Sequence, residues 1–309
     1  MTDRAIVTGG AGFIGSHVVD SLLSDGYAVT VVDDLSSGSE ERVPAAAELR
    51  TVDIVDLPAL QKVFDDVAPQ AIYHLAAQAS VVASVADPGR DCDVNVRGTL
   101  NVLELAGRAG APVVFTSTGG ALYGDEAPRP TPEDRIPAPL SPYGASKWAA
   151  EAYVRTWSLS SSIPHAVCRL GNVYGPRQSP HGEAGVVAIF TGHLNEGRTP
   201  TLYGHGQPTR DYIYVSDVVS ALRTASGRSG VYNIATGVET DVMGIWKGLC
   251  AAAGIELEPQ LADLRPGELQ HSCLDISRAE AELGWRPQVP IEEGLVLTYR
   301  ALTEEFKDS

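Results

Sequence analysis

The chain has 309 residues, 44% of them hydrophobic, and a formal net charge of −16. This length exceeds one average domain, and the apolar content is that of a globular protein with a large core. The negative charge argues against nucleic acid or an anionic membrane surface as a partner. No apolar stretch reaches about 18 residues and no leader-like segment is recognisable, so we expect a soluble, cytoplasmic protein.

The spacing of cysteines and histidines indicates no metal site. Four cysteines lie far apart without a Cys-x-x-Cys pair, so we expect buried thiols rather than zinc ligands or disulfides: Cys92, Cys168, Cys250 and Cys273. Three histidines lack the clustered spacing of metal ligands and are interpreted as structural or rim residues: His74, His181 and His193.

The first predicted element is a buried strand over residues 4–8, which runs into a glycine-rich turn. Gly9, Gly12 and Gly15 let this strand turn sharply into a helix whose free N–H groups and dipole hold a pyrophosphate. Glycine-rich turns also occur merely to close a strand–helix corner, so the motif depends on its context.

That context is a complete strand–helix–strand unit. Residues 16–23 have apolar positions at helical spacing, and residues 28–32 form a second buried strand that ends at Asp33. A carboxylate at this position accepts hydrogen bonds from the ribose hydroxyls of NAD and repels the 2′-phosphate of NADP. Because no basic residue follows before Arg42, we predict NAD. The alternative is that Asp33 only begins a polar loop.

Four further strands are predicted near residues 48–52, 71–75, 112–116 and 164–169, and they alternate with helical segments. Such alternation indicates a parallel sheet covered on both faces, with ligands at the carboxyl ends of its strands. The proline-rich stretch 128–142 cannot form one continuous helix and is predicted to be a loop that leads Tyr143 into a helix start.

Tyr143 and Lys147 are four residues apart and share one helix face. A free tyrosine, with a pKa of about 10, is a poor base at neutral pH. We expect the Lys147 ammonium and a bound nicotinamide to lower the pKa of Tyr143, and a hydroxyl of Ser117 or Thr118 to guide the proton. The alternative is that Tyr143 is a half-buried helix residue without a chemical role.

Beyond Asn172 the pattern loosens, with helices predicted near residues 184–195, 216–225, 239–253 and 291–306. We therefore predict an α/β fold in which a Rossmann-type doubly wound parallel sheet forms an NAD-binding domain, residues 1–171. A smaller C-terminal α/β substrate lobe, residues 172–309, completes the chain. Some later segments, such as residues 231–234, are expected to return to the first domain.

Nine motifs follow one another in order along the chain, at residues 8–15, 53–54, 74–77, 95–99, 115–118, 143–147, 172–177, 209–212 and 265–268. With this set, essentially the whole sequence resembles the extended short-chain dehydrogenase/reductase family, and within it the nucleotide-sugar 4-epimerases. Such enzymes oxidise C4 of the sugar to a transient ketone and then return hydride to the other face.

This resemblance implies roles for particular residues. A tightly held NAD prosthetic group would contact Gly9, Gly12, Phe13, Ile14, Gly15, Asp33, Asp53, Ile54, Leu75, Ala76, Asn95, Tyr143 and Lys147. A UDP-sugar would be held by Ser117, Thr118, Asn172, Val187, Thr201, Tyr203, Arg210, Arg265 and Glu268. The catalytic residues implied are Tyr143, Lys147, Thr118 and Ser117. Relatives usually dimerise through helices such as 93–109 and 144–160, so a homodimer is expected.

Two departures from the wider family reduce the number of reactions that this chain could catalyse. Gly119 and Gly120 follow Thr118, where similar sugar 4,6-dehydratases carry an Asp-Glu pair and UDP-glucuronate decarboxylases usually carry a glutamate. The acid and base for elimination are therefore missing, and epimerisation is favoured. The rival interpretations are a non-catalytic NAD-sensing protein and a net NAD-dependent dehydrogenase or reductase.

The prediction of the sugar depends on Ser272 and on the loop 177–181. Ser272 is a small residue where some hexose epimerases carry a tyrosine, which permits UDP-glucuronate, UDP-N-acetylglucosamine or UDP-glucose. The loop 177–181, with Ser117 and Thr118, offers donors for a C6 carboxylate. We therefore favour a UDP-glucuronate/UDP-galacturonate pair, with UDP-glucose or UDP-N-acetylglucosamine as the alternative.

Overall fold

The computed structural model describes residues 2–180, 185–264 and 269–308, with side chains described through residue 305. Within these residues the chain forms two compact units. The first unit comprises residues 2–122, 137–169 and 219–232, and the second comprises the described parts of residues 123–136, 170–218 and 233–308. Neither unit is one continuous segment of the chain.

The strands that the structure describes are, in chain order, β1 (Arg4–Thr8), β2 (Ala28–Asp33), β3 (Glu48–Thr51), β4 (Ala71–His74), β5 (Val113–Thr118), β6 (Ala166–Leu170), β7 (Asn172–Tyr174), β8 (Thr201–Tyr203), β9 (Thr209–Arg210), β10 (Tyr212–Tyr214), β11 (Gly230–Ile234), β12 (Thr240–Asp241) and β13 (Gln260–Ala262). The α-helices are α1 (Phe13–Ser24), α2 (Leu57–Val67), α3 (Val81–Ala86), α4 (Pro88–Cys92), α5 (Thr99–Ala109), α6 (Pro142–Ser161), α7 (Val186–Asn195), α8 (Val215–Ala225), α9 (Val242–Ala253) and α10 (Ile291–Asp308). A π-helical turn, Asp93–Gly98, joins α4 to α5.

The first unit is built on a seven-stranded sheet with the strand order β11-β6-β5-β4-β1-β2-β3. The pairs β1–β2, β1–β4, β2–β3 and β4–β5 are parallel. The predicted strands and the doubly wound parallel sheet are therefore confirmed. β11 lies at one edge, beside β6, so the segment 231–234 does return to the sheet.

Burial on both faces explains why the inner strands read as apolar runs rather than as alternating ones. Ile6 and Val7 of β1 and Ile72 of β4 are fully buried. Helices α2 and α5 pack on each other over this core, and Val63, Phe64 and Leu103 belong to one apolar cluster there.

The second unit contains short two-stranded sheets and three helices that pack together. β7 pairs with β10 and β8 with β13, both in parallel, whereas β9 pairs with β12 antiparallel. α7, α9 and α10 pack on one another, with the ring of Phe190 edge-on to Trp246 at 5.5 Å. The four helices predicted beyond Asn172 are all present.

The loop 123–136 belongs to the second unit, which the sequence did not predict. Thr131 explains this placement: its N–H donates to the carbonyl of Cys273, and its carbonyl accepts from the side chain of Asn233. Both distances are 2.9 Å. Backbone pairing between distant segments thus holds a proline-rich loop that has no regular structure of its own.

The four cysteines are free thiols, and three of them are buried: Cys168, Cys250 and Cys273. Cys92, the last residue of α4, is exposed, so the prediction of buried thiols is wrong at this position. The buried face of α4 carries Asp91 instead. None of the helices in the described part of the chain is both long and apolar enough to cross a membrane.

Candidate active site

β1 runs into α1 through a turn in which two positions fit only glycine. Gly9 has a φ of +72°, and a Cβ there would lie 2.6 Å from the backbone nitrogen of Ala76. A Cβ on Gly15 would lie 2.1 Å from the carbonyl oxygen of Gly9. Gly12 is the N-cap of α1, and from Phe13 onward the first helical N–H groups have no partner within the helix. Such a helix start is a site for an anion such as a pyrophosphate.

Asp33 ends β2 beside this turn and is 7% exposed. One carboxylate oxygen accepts from the N–H of Ala11 at 3.0 Å and the other from the N–H of Leu35 at 2.9 Å. Burial raises the pKa of Asp33, while these two hydrogen bonds oppose that rise. Each carboxylate oxygen has a further lone pair, so the residue can still accept hydrogen bonds from ribose hydroxyls.

Asp53 and Ile54 follow β3. The Asp53 carboxylate accepts from the N–H of Val55 at 2.9 Å and pairs with Arg90 at 3.2 Å. Ile54 is buried and packs on Gly98, where a Cβ would lie 2.5 Å from the Ile54 side chain. These contacts bring the residues after β3 against the helical region that carries Asn95.

The end of β4 is fixed by a buried histidine. His74 lies between the hydroxyls of Thr8 and Thr99, at 2.7 Å and 3.0 Å from its two ring nitrogens. Burial lowers the pKa of His74 to about 3, so the ring is neutral. Leu75 and Ala76 follow it, and their N–H groups donate to the carbonyl and the hydroxyl of Thr8. His74 therefore has the structural role expected of it.

Tyr143 lies in the first turn of α6. The helix begins at Pro142, and the hydroxyl of Ser141 caps it by accepting from the N–H of Gly144 at 3.2 Å. This start places Tyr143 near Thr118, at the carboxyl end of β5, and the Thr118 hydroxyl hydrogen-bonds the phenol.

The protein groups raise the pKa of Tyr143 to about 12. Burial is the largest cause, the hydrogen bond with Thr118 opposes it, and the Asp91 carboxylate adds to the rise. Among the protein groups, desolvation of the phenolate outweighs the stabilising contacts, whereas the predicted lowering also included the charge of a bound nicotinamide.

Lys147 lies one turn further along α6 and is only 3% exposed. Its ammonium nitrogen lies over the ring of Phe115, 4.4 Å from the ring centroid, which is a cation–π contact. Burial lowers the pKa of Lys147 to about 8, while the carboxylates of Glu151 and Asp91 oppose that change. The ammonium is therefore preserved near neutral pH by nearby carboxylates.

Ser117 and Thr118 bring two hydroxyls to the end of β5. Thr118 Oγ1 accepts from the N–H of Ala121 at 3.2 Å. Ser117 is 4% exposed, and its hydroxyl has no hydrogen-bond partner among the described residues. A buried hydroxyl without a hydrogen bond is unfavourable unless a ligand supplies the missing partner. This observation fits a binding role for Ser117.

Asn95 belongs to the π-helical turn and is 1% exposed. Its side-chain oxygen accepts from the N–H of Gln78 at 2.9 Å. Its side-chain nitrogen donates to the Ser146 hydroxyl at 3.0 Å, to Asp91 at 3.1 Å and to the Gln78 carbonyl at 2.9 Å. Asn95 thus ties the segment after β4 to the turn of α6 that holds Tyr143 and Lys147.

Sequence reasoning missed three members of this buried network: Gln78, Asp91 and Ser146. Each is a polar residue with at least one partner on another element, which no local pattern identifies. The spacing of Asp91 and Asn95, one helical turn apart, is the signal that would have suggested a shared buried face.

In the second unit, Arg210 is the predicted substrate-binding cation that lies within the described residues. Its guanidinium donates to the carbonyls of Leu269, Thr209 and Gln270 at 2.7, 2.8 and 3.3 Å. The neighbouring Asp211 is 1% exposed and accepts from several N–H and O–H groups, which fixes this stretch of backbone.

The other predicted substrate residues differ in exposure. Asn172 begins β7, and Tyr203 and the exposed Thr201 lie on β8. Val187, on α7, is only 1% exposed and packs within the second unit. Arg265 and Glu268 lie outside the described residues, as does His181, whereas His193 lies on α7. The described residues contain no group of three or more side chains suited to a metal ion.

Comparison with known proteins agrees with this geometry. Residues 5–235 match the NAD dependent epimerase/dehydratase family. A UDP-glucose 4-epimerase of Mycolicibacterium smegmatis is 45% identical over 96% of this chain and 97% of its own length. The crystal structure of UDP-glucose 4-epimerase from Thermotoga maritima, with UDP-glucose, is 44% identical, with a TM-score of 0.95 over 98% of this chain and 99% of that one.

The UDP-glucose 4-epimerase of Thermus thermophilus, solved with NAD, is 43% identical, with a TM-score of 0.89 over 97% of this chain and 98% of that one. The chain therefore belongs to the NAD-dependent epimerase/dehydratase family, and within it to the nucleotide-sugar 4-epimerases, which are isomerases that work with NAD. The glycine turn, whose two critical positions exclude a Cβ, fits that cofactor.

Proposed function

We propose that this protein is a UDP-glucose 4-epimerase, which interconverts UDP-glucose and UDP-galactose. The observation that carries the chemistry is the placement of Tyr143 and Lys147 on successive turns at the start of α6, beside the hydroxyl of Thr118. Relatives of that name at 43–45% identity support the substrate.

Tyr143 is proposed as the acid–base residue. Its phenolate oxygen takes the proton of the C4 hydroxyl, and the same oxygen returns a proton after the 4-keto sugar has turned. Thr118 hydrogen-bonds the phenol and stabilises its deprotonated form. Bound NAD supplies the acceptor and donor of the hydride. Lys147 adds a positive charge in a site from which water is largely excluded.

NAD is proposed to lie along the carboxyl ends of the first strands. The N–H groups at the start of α1 would hold the pyrophosphate, and Asp33 would accept hydrogen bonds from the adenosine ribose. Asn95 has its carboxamide engaged within the protein, so we infer that it positions Ser146 and Gln78 rather than binding NAD through its side chain.

The UDP group is proposed to bind the second unit. Arg210 offers a guanidinium held in place by three carbonyls, and a fixed cation suits a diphosphate in a protein of net charge −16. Asn172, Thr201 and Tyr203 are proposed as further contacts. Arg265 and Glu268 keep the roles that the family resemblance implies.

The sequence alone favoured UDP-glucuronate over UDP-glucose. The names of the relatives support UDP-glucose instead. The loop after Arg177, on which the carboxylate argument depended, continues into undescribed residues. UDP-glucose is therefore the better-supported substrate.

A proton NMR time course of the purified holoenzyme tests this function. UDP-glucose, UDP-N-acetylglucosamine and UDP-glucuronate are supplied in parallel without added NAD. We expect rapid appearance of the C4 epimer of UDP-glucose and much slower turnover of the other two. Brisk turnover of UDP-glucuronate alone would restore the uronate assignment. No product from any of them, with NAD bound, would favour a sensing protein, and net NADH formation would favour a dehydrogenase.

We also propose that the protein is a homodimer. Two large side chains on α6 are each 40% exposed, Trp148 and Tyr153, and Val82 and Val85 of the neighbouring α3 are 70% and 64% exposed. Apolar surface of this kind is suited to a second copy of the chain. Light scattering after size exclusion is expected to give twice the monomer mass, and substitution of Trp148 by glutamate to give monomers.

A further inference from the structure

A series of buried hydrogen bonds begins directly behind the glycine turn. The N–H of Ala76 donates to the hydroxyl of Thr8 at 3.3 Å, and that hydroxyl lies 2.7 Å from Nδ1 of His74. Nε2 of His74 lies 3.0 Å from the hydroxyl of Thr99, which donates to the backbone carbonyl of Asn95 at 2.6 Å. We call these five residues the His74 network. Its three side chains belong to residues that are at most 1% exposed.

The Asn95 end of the network fixes the position of the ring proton of His74. A backbone carbonyl only accepts hydrogen bonds, so the single hydroxyl proton of Thr99 is committed to Asn95. The Thr99 oxygen can then only accept from His74, which requires a proton on Nε2. The ring is neutral, because burial lowers the pKa of His74 to about 3. A neutral imidazole has one N–H, so Nδ1 carries no proton.

The Ala76 end of the network requires the same direction. A backbone N–H only donates, so the Thr8 oxygen accepts from Ala76. The hydroxyl proton of Thr8 is then available to the unprotonated Nδ1 of His74. All four hydrogen bonds therefore run one way, from Ala76 to Asn95. Only the Nε2–H tautomer of His74 satisfies all of them.

The peptide between Leu75 and Ala76 is the part of the chain on which Gly9 packs. A Cβ on Gly9 would lie 2.6 Å from the nitrogen of Ala76 and 2.8 Å from the carbonyl carbon of Leu75. Thr8 holds both residues, since its carbonyl accepts from the N–H of Leu75 at 3.0 Å and its hydroxyl accepts from the N–H of Ala76. A displacement of this peptide toward the glycine turn would therefore move the turn as well.

Asn95 connects the network to the helix that carries Tyr143. Its side-chain oxygen accepts from the N–H of Gln78, and its side-chain nitrogen donates to the carbonyl of Gln78, both at 2.9 Å. The same nitrogen donates to the hydroxyl of Ser146 on α6 at 3.0 Å. The segment 76–78 is thus held at its first residue by the His74 network and at its last by the Asn95 side chain.

We propose that His74 is a positioning residue of the NAD site: as the Nε2–H tautomer it orients the Thr8 hydroxyl and so sets the Leu75–Ala76 peptide against the glycine turn. This proposal rests on the proposed position of NAD along the carboxyl ends of the first strands. An imidazole suits the task, because it accepts at one nitrogen and donates at the other. Buried polar groups that lose a partner are costly, so the connected hydrogen bonds favour a single arrangement.

The first measurement reads the tautomer in the wild-type holoenzyme. The ring nitrogens of the seven histidines are followed by NMR in uniformly labelled protein, and the His74 signals are assigned through bonds to its own backbone. We expect a proton on Nε2 and none on Nδ1. A proton on Nδ1, or exchange between the two tautomers, would overturn the proposal.

The second measurement follows the release of NAD from variants of Thr8. Bound NAD is exchanged for isotopically labelled NAD, and the cofactor retained by the protein is weighed by mass spectrometry. Thr8→Val removes the hydroxyl but keeps the branched side chain, and we expect about 10-fold faster release of NAD. Thr8→Ser keeps the hydroxyl and is expected to release NAD at nearly the wild-type rate. The control is Thr30→Val, which changes a buried threonine of the neighbouring strand β2 and is expected to leave the rate unchanged.

Three results would contradict a positioning role: wild-type release from Thr8→Val, equal acceleration in Thr8→Val and Thr30→Val, or release from Thr8→Ser as fast as from Thr8→Val. If Thr8→Val does not fold, the wild-type tautomer decides, with Nε2–H supporting the proposal and Nδ1–H overturning it. No sugar nucleotide enters either measurement. A protein that binds NAD but does not epimerise UDP-glucose would therefore give the same results, and the two proposals fail separately.

Discussion

Glu151 and Arg169 form a buried, two-pronged ion pair one helical turn from Lys147. Arg169 Nη2 lies 2.7 Å from one carboxylate oxygen and Nε lies 3.0 Å from the other, and both side chains are less than 5% exposed. The pair joins β6 to the helix that carries the proposed catalytic residues. Its geometry satisfies two charges that neither element could bury alone.

Removing one partner of this pair should destabilise the protein strongly. Arg169→Met leaves the Glu151 charge buried without a partner, and we expect the free energy of unfolding to fall by about 3–5 kcal/mol. The double variant Glu151→Gln/Arg169→Met should lose less than the sum of the single changes. Urea unfolding measures all three. The exposed control Arg108→Ala should change stability by less than about 1 kcal/mol. Strict additivity in the double variant would contradict a coupled pair.

The glycine turn gives a second prediction. A Cβ at position 15 would lie 2.1 Å from the carbonyl oxygen of Gly9, so Gly15→Ala must displace the turn that is proposed to hold the pyrophosphate. We expect loss of bound NAD and a fall in turnover of about 100-fold. NAD released on denaturation is measured by absorbance. The matched control is Gly107→Ala in α5, where a Cβ meets nothing within 4 Å, and wild-type NAD content is expected there.

The variant Arg210→Ala should weaken substrate binding without changing cofactor binding. Arg210→Ala removes a fixed guanidinium, and we expect UDP to bind about 10–100-fold more weakly while the NAD content stays unchanged. Calorimetric titration with UDP measures the affinity. Arg198→Ala, which removes an exposed cation of the same unit, is the control. Equal weakening in both variants would point to general electrostatics rather than to a specific contact.

The lowered pKa of the buried His165 ring predicts how the free energy of unfolding depends on pH. Burial lowers the pKa of its ring to about 4, below the value of about 6.5 for an unfolded chain, and Nδ1 accepts from the N–H of Val113 at 3.0 Å. The unfolded state therefore binds more protons between these values. The contribution of the neutral His165 ring to the free energy of unfolding is fully present above pH 6.5, and it is lost as the pH falls toward 4.

The variant His165→Asn keeps an acceptor near Val113 but cannot titrate. Its unfolding free energy, measured by urea at several pH values, should fall less steeply than that of the wild type between pH 6.5 and 4. His205→Asn changes an exposed histidine in a left-handed conformation that asparagine tolerates, so it should retain the wild-type slope. The same slope in His165→Asn and the wild type would exclude His165 as a source of acid sensitivity.

Local patterns in the sequence were sufficient to predict the sheet. The strand at residues 4–8, the turn at Gly9 and the helix that follows each have a residue pattern that specifies them, and the observed elements agree within a few residues. The placement of Tyr143 at a helix start followed from Pro142 and the capping Ser141.

Contacts between distant segments could not be predicted in this way. One hydrogen bond of the Asn95 network joins residues 51 positions apart, and Arg169 lies 18 residues after Glu151. The contribution of the protein groups to the pKa of Tyr143 depends on how deeply the fold buries the phenol, which no spacing reveals. The exposure of Cys92 depended in the same way on which face of α4 turned inward.

The position of β11 at the edge of the seven-stranded sheet has a consequence for biosynthesis. Its residues, Gly230–Ile234, emerge from the ribosome about 60 residues after β6, beside which they pair. During translation, β6 therefore has an uncovered edge until β11 has been made. A fragment ending at residue 171 would keep that edge permanently exposed to other chains. The first unit is thus completed only after residues 170–218 of the second unit have been made.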